Sequence, residues 1–211
     1  TSDITLTAGS DITTNGGGLL QGETLTLEAT TGSIDATSDL TGQTIVVTSA
    51  NDITIAGDIT SVDDLTLAAP NNLTYAGVAS TDGMLSLSGE TITISSGSLT
   101  GGTVDATSSG SMDLATNITS TGGTTLEASN DLTYAGEANA GDALSLSGET
   151  ITVSSGSLTG GTVDVTSIGS MDLAANITST GGAVNVTSGG DMDLAANITS
   201  TGGTTLEGPN D

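Results

Sequence analysis

Lysine, arginine and histidine are absent from this chain, and so is cysteine. Without imidazole or a lysine amine there is no histidine acid–base, no Schiff-base amine and no P-loop lysine. Without arginine there is no bidentate clamp for phosphate. Without a thiol there is no cysteine nucleophile, zinc–thiolate centre or disulfide. Nucleic acids and anionic membrane surfaces both need cations on the protein, so neither is an expected partner. The aromatic residues are Tyr75 and Tyr134 alone. A globular core of the usual kind, filled by large rings, is therefore unavailable. No apolar run approaches the ~20 residues of a membrane-spanning helix, so membrane insertion is not expected. The chain opens on Thr1 with no initiator Met and no basic leader. It reads as one repeat domain over 1–211, a fragment of a longer solenoid without caps of its own.

What is present is acid, glycine and hydroxyl. Asp and Glu number 25 for a net charge of −25, and glycine numbers 31. High net charge with few aromatics also fits a disordered chain. Periodicity argues against that. The phrase Met-Asp-Leu-Ala-Thr-Asn-Ile-Thr-Ser-Thr-Gly-Gly at 112–123 returns at 171–182 and at 192–203, with Thr116 replaced by Ala175 and Ala196. The steps are 59 and 21 residues, the second close to a third of the first. One short unit underlies both.

That unit appears in the apolar pairs Ile4-x-Leu6, Leu25-x-Leu27, Ile45-x-Val47, Leu65-x-Leu67 and Leu85-x-Leu87. Val104-x-Ala106, Leu144-x-Leu146, Val163-x-Val165 and Val184-x-Val186 continue them. With Leu126 and Leu206 the second members fall at 6, 27, 47, 67, 87, 106, 126, 146, 165, 186 and 206, every step being 19, 20 or 21. A second pair follows about six residues on, as in Ile53-x-Ile55, Leu73-x-Tyr75, Ile92-x-Ile94, Met112-x-Leu114 and Leu132-x-Tyr134. Then comes a third apolar position: Leu40, Ile59, Val78, Leu99, Ile118, Leu158, Ile177, Ile198.

Period-2 alternation turns one face of each strand inward. Three short strands separated by turn residues make one coil of roughly triangular section. The expected fold is therefore all-β, a parallel β-solenoid with about 20 residues per coil, each strand bonded to its equivalents one coil away. Branched aliphatics then stack in a core one side chain deep. Helix is not expected, because Thr, Ser and Gly dominate and the 3.6-residue period is missing. Pro70 and Pro209 should sit at a corner and near the end, where no ladder donor is needed. The glycine pairs 101–102, 122–123, 160–161, 181–182 and 202–203 mark the corner before the first strand and are expected to need a left-handed backbone. The stretch Leu73–Asp131 repeats as Leu132–Gly190, three coils copied together.

Ile4-Thr5-Leu6-Thr7-Ala8-Gly9-Ser10-Asp11-Ile12-Thr13, Leu25-Thr26-Leu27-Glu28-Ala29 and Asn51-Asp52-Ile53-Thr54-Ile55-Ala56-Gly57 resemble filamentous haemagglutinin repeats of large exoproteins of the two-partner secretion type. The resemblance covers nearly the whole chain. It implies a right-handed β-helix, secretion across a bacterial outer membrane, and a surface fibre used in adhesion. The family normally carries basic residues. Their absence here argues against carrying over any role in binding sulfated glycans.

The candidate sites are acids and hydroxyls. Acids or amides mark the corner before the second strand: Asp11, Asp52, Asn72, Glu90, Asp131, Glu149, Asp191 and Asp211. Asp and Asn serve turns by bonding nearby backbone. The other reading is a Ca²⁺-binding edge. The Gly-Gly-x-Gly-x-Asp repeat of calcium-dependent solenoids is missing, so weak screening by divalent cations along the acidic corners is expected rather than a dedicated site. The outward positions of the second strand are Thr54, Thr74, Thr93, Asp113, Thr133, Thr152, Asp172 and Asp193. An ice-binding threonine array would look like this, but Asp interrupts it, and Thr is a good strand residue in any case. The pairs Asp63/Asp64 and Asp191/Asp193 invite comparison with glycosidase carboxylates. The aromatic subsites and basic residues that usually accompany such a site are missing. Sequons at Asn72, Asn117, Asn176, Asn185 and Asn197 are what a Ser/Thr-rich repeat produces by chance.

No catalytic, cofactor-binding or metal-binding residue is therefore assigned. The expected function is a non-catalytic structural segment of an extracellular or cell-surface fibre, which the resemblance implies to be bacterial. The alternative is a self-assembling filament or sheath subunit, stacking end to end with its own kind or continuing into further coils of the same chain. A carbohydrate-active β-helix enzyme and an ice-binding solenoid remain as distant alternatives.

Overall fold

Each first strand bonds to the first strands of the coils before and after it, residue for residue. Ile4 pairs with Leu25, Leu25 with Ile45 and Ile45 with Leu65, and the series runs on to Val184 with Thr204. The computed structural model from which this register is read describes residues 2–15 and 18–209. Among these there are 27 strands and no helix, and every strand pair is parallel. The eleven first strands, Ile4–Ala8 through Thr204–Glu207, form one sheet. All eleven sequence positions expected on it are there. At the common coil spacing of ~4.8 Å the rod is about 50 Å long. No helix among the described residues is long and apolar enough to cross a membrane.

The second and third strands share one sixteen-stranded sheet. In most coils a short break separates them, as in Ile53–Ile55 followed by Ile59–Ser61. In four coils they run together as Asn72–Ser80, Thr91–Gly101, Asp131–Ala140 and Thr150–Gly160. The expectation of three separate strands thus needs correction in these coils, where the corner is a bend inside one strand. Two of them are lengthened by a bulge: the register slips between Tyr75 and Ala76 against Thr91–Gly101, and between Tyr134 and Ala135 against Thr150–Gly160.

The core is a set of stacked columns. Leu25, Ile45, Leu65 and Leu85 form one, and Ile34, Ile53, Leu73 and Ile92 another, all fully buried or nearly so. Each such side chain contributes about 1.5–3 kcal/mol by leaving water. Leu6 and Leu206 end a third column, that of Leu27, Val47 and Leu67, and are part-exposed because only one neighbouring coil covers each.

Val78 is not in the core. It is 44 % exposed, and Ala79 takes the inward position, paired with Ile59 below and Leu99 above. From the second coil on, the inward residue of the third strand comes four residues after that of the second, or five where there is a bulge. Position 79 obeys that spacing and 78 breaks it.

The glycine pairs also need correction. Of them only Gly203 has positive φ, at 114°. Among the described residues Gly97 and Gly156, at φ 90° and 93°, are the others, and they sit at the bends of the bulged strands. Some of the corner glycines are required by close packing instead. A Cβ on Gly101 would stand 2.6 Å from the Thr103 carbonyl oxygen, and one on Gly160 2.5 Å from that of Thr162.

Two corners are held by serine. Ser49 Oγ sits 3.0 Å from both the Gly32 and Asp52 carbonyl oxygens, and Ser188 Oγ lies 3.0 Å from that of Gly190. At the other corner Ser61 Oγ is 2.6 Å from the Gln43 oxygen and 2.9 Å from that of Asp64. Ser179 repeats the arrangement with Gly161 and Gly182, at 2.7 and 2.8 Å. The Asp52, Gln43, Asp64, Gly161 and Gly182 carbonyls each already accept a backbone N–H, so the serine hydroxyl adds a second bond that ties the turn together. Pro70, exposed between two strands, lies at a corner as expected.

Candidate functional site

Function on a rod of this kind lies on the outer columns, one residue per coil. The acids before the second strand fall into two of these columns rather than one. Asp11, Asp52, Asn72, Asp131 and Asp191 share a column with Ser33, Thr91, Ser111, Thr150 and Ser170. Glu90 and Glu149 sit one residue earlier, their N–H groups donating to the Asn71 and Asn130 carbonyls at 2.7 Å. Asp211 lies outside the described residues.

These side chains do not bond their own turns. Asp52 Oδ1 accepts the Asn72 N–H at 3.0 Å, and Asp11 Oδ1 the Ser33 N–H at 2.9 Å. At the corner before the third strand Asp39 accepts from Asp58, and Asp58 in turn from Val78, at 2.9 and 2.8 Å. Asn117 receives the Glu137 N–H at 2.9 Å. Asp64 receives the Met84 N–H at the same length. In each case the acceptor is one coil before the donor. The acids extend the inter-coil ladder around corners where strand pairing lapses, and they give the rod a direction.

The outward column of the second strand is as expected: Thr54, Thr74, Thr93, Asp113, Thr133, Thr152, Asp172, Asp193, with Asp35 preceding them. Asp172 and Asp193 are direct neighbours along it. Asp191 belongs to the corner column beside Asp193, and Asp64 is engaged as a ladder acceptor. Among the described residues no three acids converge as a metal ligand group would.

A hydroxyl column that the sequence reading passed over runs along the third strand. Gln21, Thr41, Thr60, Ser80, Thr100, Thr119, Asn139, Thr159, Thr178 and Thr199 pair in succession and carry no carboxylate. The signal was available. In seven coils the residue just after the third inward position is threonine. The column is one residue wide, so it does not make the two-dimensional array of an ice-binding face.

The sequon amides are engaged along the rod. Asn72 Nδ2 donates to Asp52 Oδ1 at 3.0 Å, Asn185 Nδ2 to Asp164 Oδ1 at 2.6 Å, and Asn197 Nδ2 to Asn176 Oδ1 at 3.1 Å. Asn117 and Asn176 serve as acceptors through Oδ1.

Tyr75 and Tyr134 are the largest core side chains, both fully buried. Burial pushes each hydroxyl well above its ordinary pKa of 10.0. The Asp58 carboxylate, and behind it Asp39, adds to this at Tyr75, and Glu137 does so at Tyr134. Both stay neutral in the fold over the ordinary pH range.

A continuous parallel ladder, a one-layer aliphatic core and polar outer columns define a β-solenoid built from a short repeat. The family model described as "Haemagglutinin repeat" matches residues 1–60, 48–133 and 99–208, and the chain belongs to that family. No curated protein and no solved structure matches it.

Proposed function

We propose that this segment is a length of shaft in a secreted bacterial surface fibre, a non-catalytic rod that sets the distance between parts that bind and the cell that bears them. The observation that carries this reading is the unbroken register of the eleven first strands, in a chain matched from end to end by the haemagglutinin repeat. One stacking rule repeated without interruption produces length and stiffness, and length is what a shaft contributes. Further coils of the same chain are the natural partners for the strand edges of the first and last coils. Antibodies against this segment, applied to the intact source cells and imaged by electron microscopy, should decorate thin fibres outside the envelope. Label confined to the cell interior would refute the proposal.

A second reading, a self-assembling filament or sheath subunit, is favoured by one observation. The threonine column is the outer column of the third strand along which copies of a strongly anionic rod can approach without carboxylate facing carboxylate. Sedimentation of the isolated segment over a range of protein and salt concentrations separates the two. A subunit forms larger species as either rises, and a shaft segment does so only by joining at its open ends. Loose Ca²⁺ screening of the acids belongs to either reading.

A further inference from the structure

Among the described residues four hydroxyl oxygens are shut off from solvent with no acceptor for their proton, Thr14 Oγ1, Tyr75 Oη, Thr116 Oγ1 and Tyr134 Oη, and of the two tyrosines Tyr75 alone has a backbone N–H, that of Ile59, directed at its oxygen. Buried polar groups in folded proteins nearly always have partners, and water supplies them where side chains do not. The four are not scattered. Thr14, Tyr75 and Tyr134 occupy a single inward column at intervals of three coils, through Ala36 and Ile55 in one interval and Ile94 and Leu114 in the other. Thr116 lies in the coil just before Tyr134.

The two tyrosines face the same construction. Two residues after each comes a glycine, Gly77 or Gly136. The point where a Cβ would stand on Gly77 is 3.0 Å from Tyr75 Oη and 2.5 Å from the carbonyl oxygen of Gly57, in the coil before. On Gly136 the corresponding point is 3.2 Å from Tyr134 Oη and closer still to the carbonyl oxygen of Thr116. In both coils the tyrosine hydroxyl and the carbonyl of the preceding coil therefore lie on the same side of the glycine, and the carbonyl is too close there for any side chain. The coil after each tyrosine is the bulged one. Ser95 stands out of register beside Gly97, and Ser154 beside Gly156. A bulge interrupts the ladder and bends the strand, loosening the contact between coils at this spot.

We propose that each bend holds one buried water molecule. It accepts the tyrosine hydroxyl proton and donates to the carbonyl of the preceding coil. Tyr75 is bridged to Gly57 in the first site. In the second, Tyr134 is bridged to Thr116, whose own Oγ1 supplies a further partner. The groups common to both sites decide for water over a cation, because they are neutral. The residue after Gly57 is Asp58 and the residue after Thr116 is Asn117, so no carboxylate is shared. The side-chain oxygens of both already accept backbone N–H groups, from Val78 and Glu137.

The test combines crystallography of the chain at a resolution that shows ordered solvent with Tyr75→Phe and Tyr134→Phe, which keep the ring and delete the hydroxyl. The expected result is one water peak within hydrogen-bond range of hydroxyl and carbonyl at each bend. Each Phe variant should melt about 2–4 °C lower, the loss of one net hydrogen bond in a chain of this size. A hydroxyl with no partner predicts the opposite sign, since its removal would relieve an unmet desolvation cost. An empty bend in either copy, or Phe variants that melt at the same temperature or higher, overturns the proposal.

Discussion

Tyr75 and Ala79 are inward residues of a single coil, and one is large because the other is small. Ala79 stands between Ile59 and Leu99, where every coil but one of the fully enclosed part of the rod carries Leu or Ile. The exception is Ala138, in the coil of Tyr134. The ring makes up part of the bulk that alanine gives up in the same coil.

Enlarging one partner should therefore overpack the coil. Ala79→Leu is expected to cost about 1–3 kcal/mol, and Tyr75→Leu about 1–3 kcal/mol by the cavity it leaves. The double variant should be less unstable than the two losses added together. A double-mutant cycle by urea denaturation measures the coupling, and strict additivity would show that the two side chains do not share space.

Polarity inside the columns is a stricter limit. Leu67→Asp places an unpaired charge between Val47 and Leu87 and should unfold several coils, whereas Thr66→Asp, one residue away and outward, should shift the melting temperature little. Comparable shifts for the two would reverse the assignment of faces.

The tyrosines give the chain an alkaline limit. Each is held neutral in the fold and is free to ionise near its ordinary value of 10.0 once unfolded. The unfolded state then binds fewer protons, so stability is flat below that value and falls above it by about 1.4 kcal/mol per pH unit for each ring. With no Lys, Arg or Cys present, no other side chain titrates there. Unfolding followed from pH 8 to 12 should show the decline in the parent chain and not in the Tyr75→Phe/Tyr134→Phe double variant.

Corner acids should act as acceptors more than as charges. Asp58→Asn preserves the oxygen that receives the Val78 N–H, as Asn117 does for Glu137, and should hold or raise the melting temperature by removing one negative charge. Asp58→Ala loses the bond and should cost about 1 kcal/mol. If the two variants melt alike, the ladder bond at this corner contributes nothing.

Added salt or millimolar Ca²⁺ should raise the melting temperature, because the carboxylates of a −25 rod repel along its length. A flat response from low to moderate ionic strength would confine the acids to their corner bonds.

Much of this architecture could be read from the chain. The spacing of the first strands survived intact because each of those positions has a single requirement, an apolar side chain facing inward. Val78 misled because hydrophobicity alone does not say which residue turns inward after a bend. The count of four residues from Tyr75 does. The exchange of bulk between Tyr75 and Ala79, and the bond from Asp52 forward to the next coil, depend on neighbours about 20 residues apart, and no local pattern records them. The threonine column was visible as a spacing but looked like ordinary strand composition until the register aligned it.

The hydrogen bonds of both sheets run from coil to coil, parallel to the long axis. A pull on the two ends is borne by those bonds in series, and the coil that yields first is an outermost one, held on one side only. Each coil that peels away exchanges a rise of ~4.8 Å for about 20 residues of extended chain, on the order of 65 Å. Under traction such a rod lengthens many times over before any covalent bond is strained.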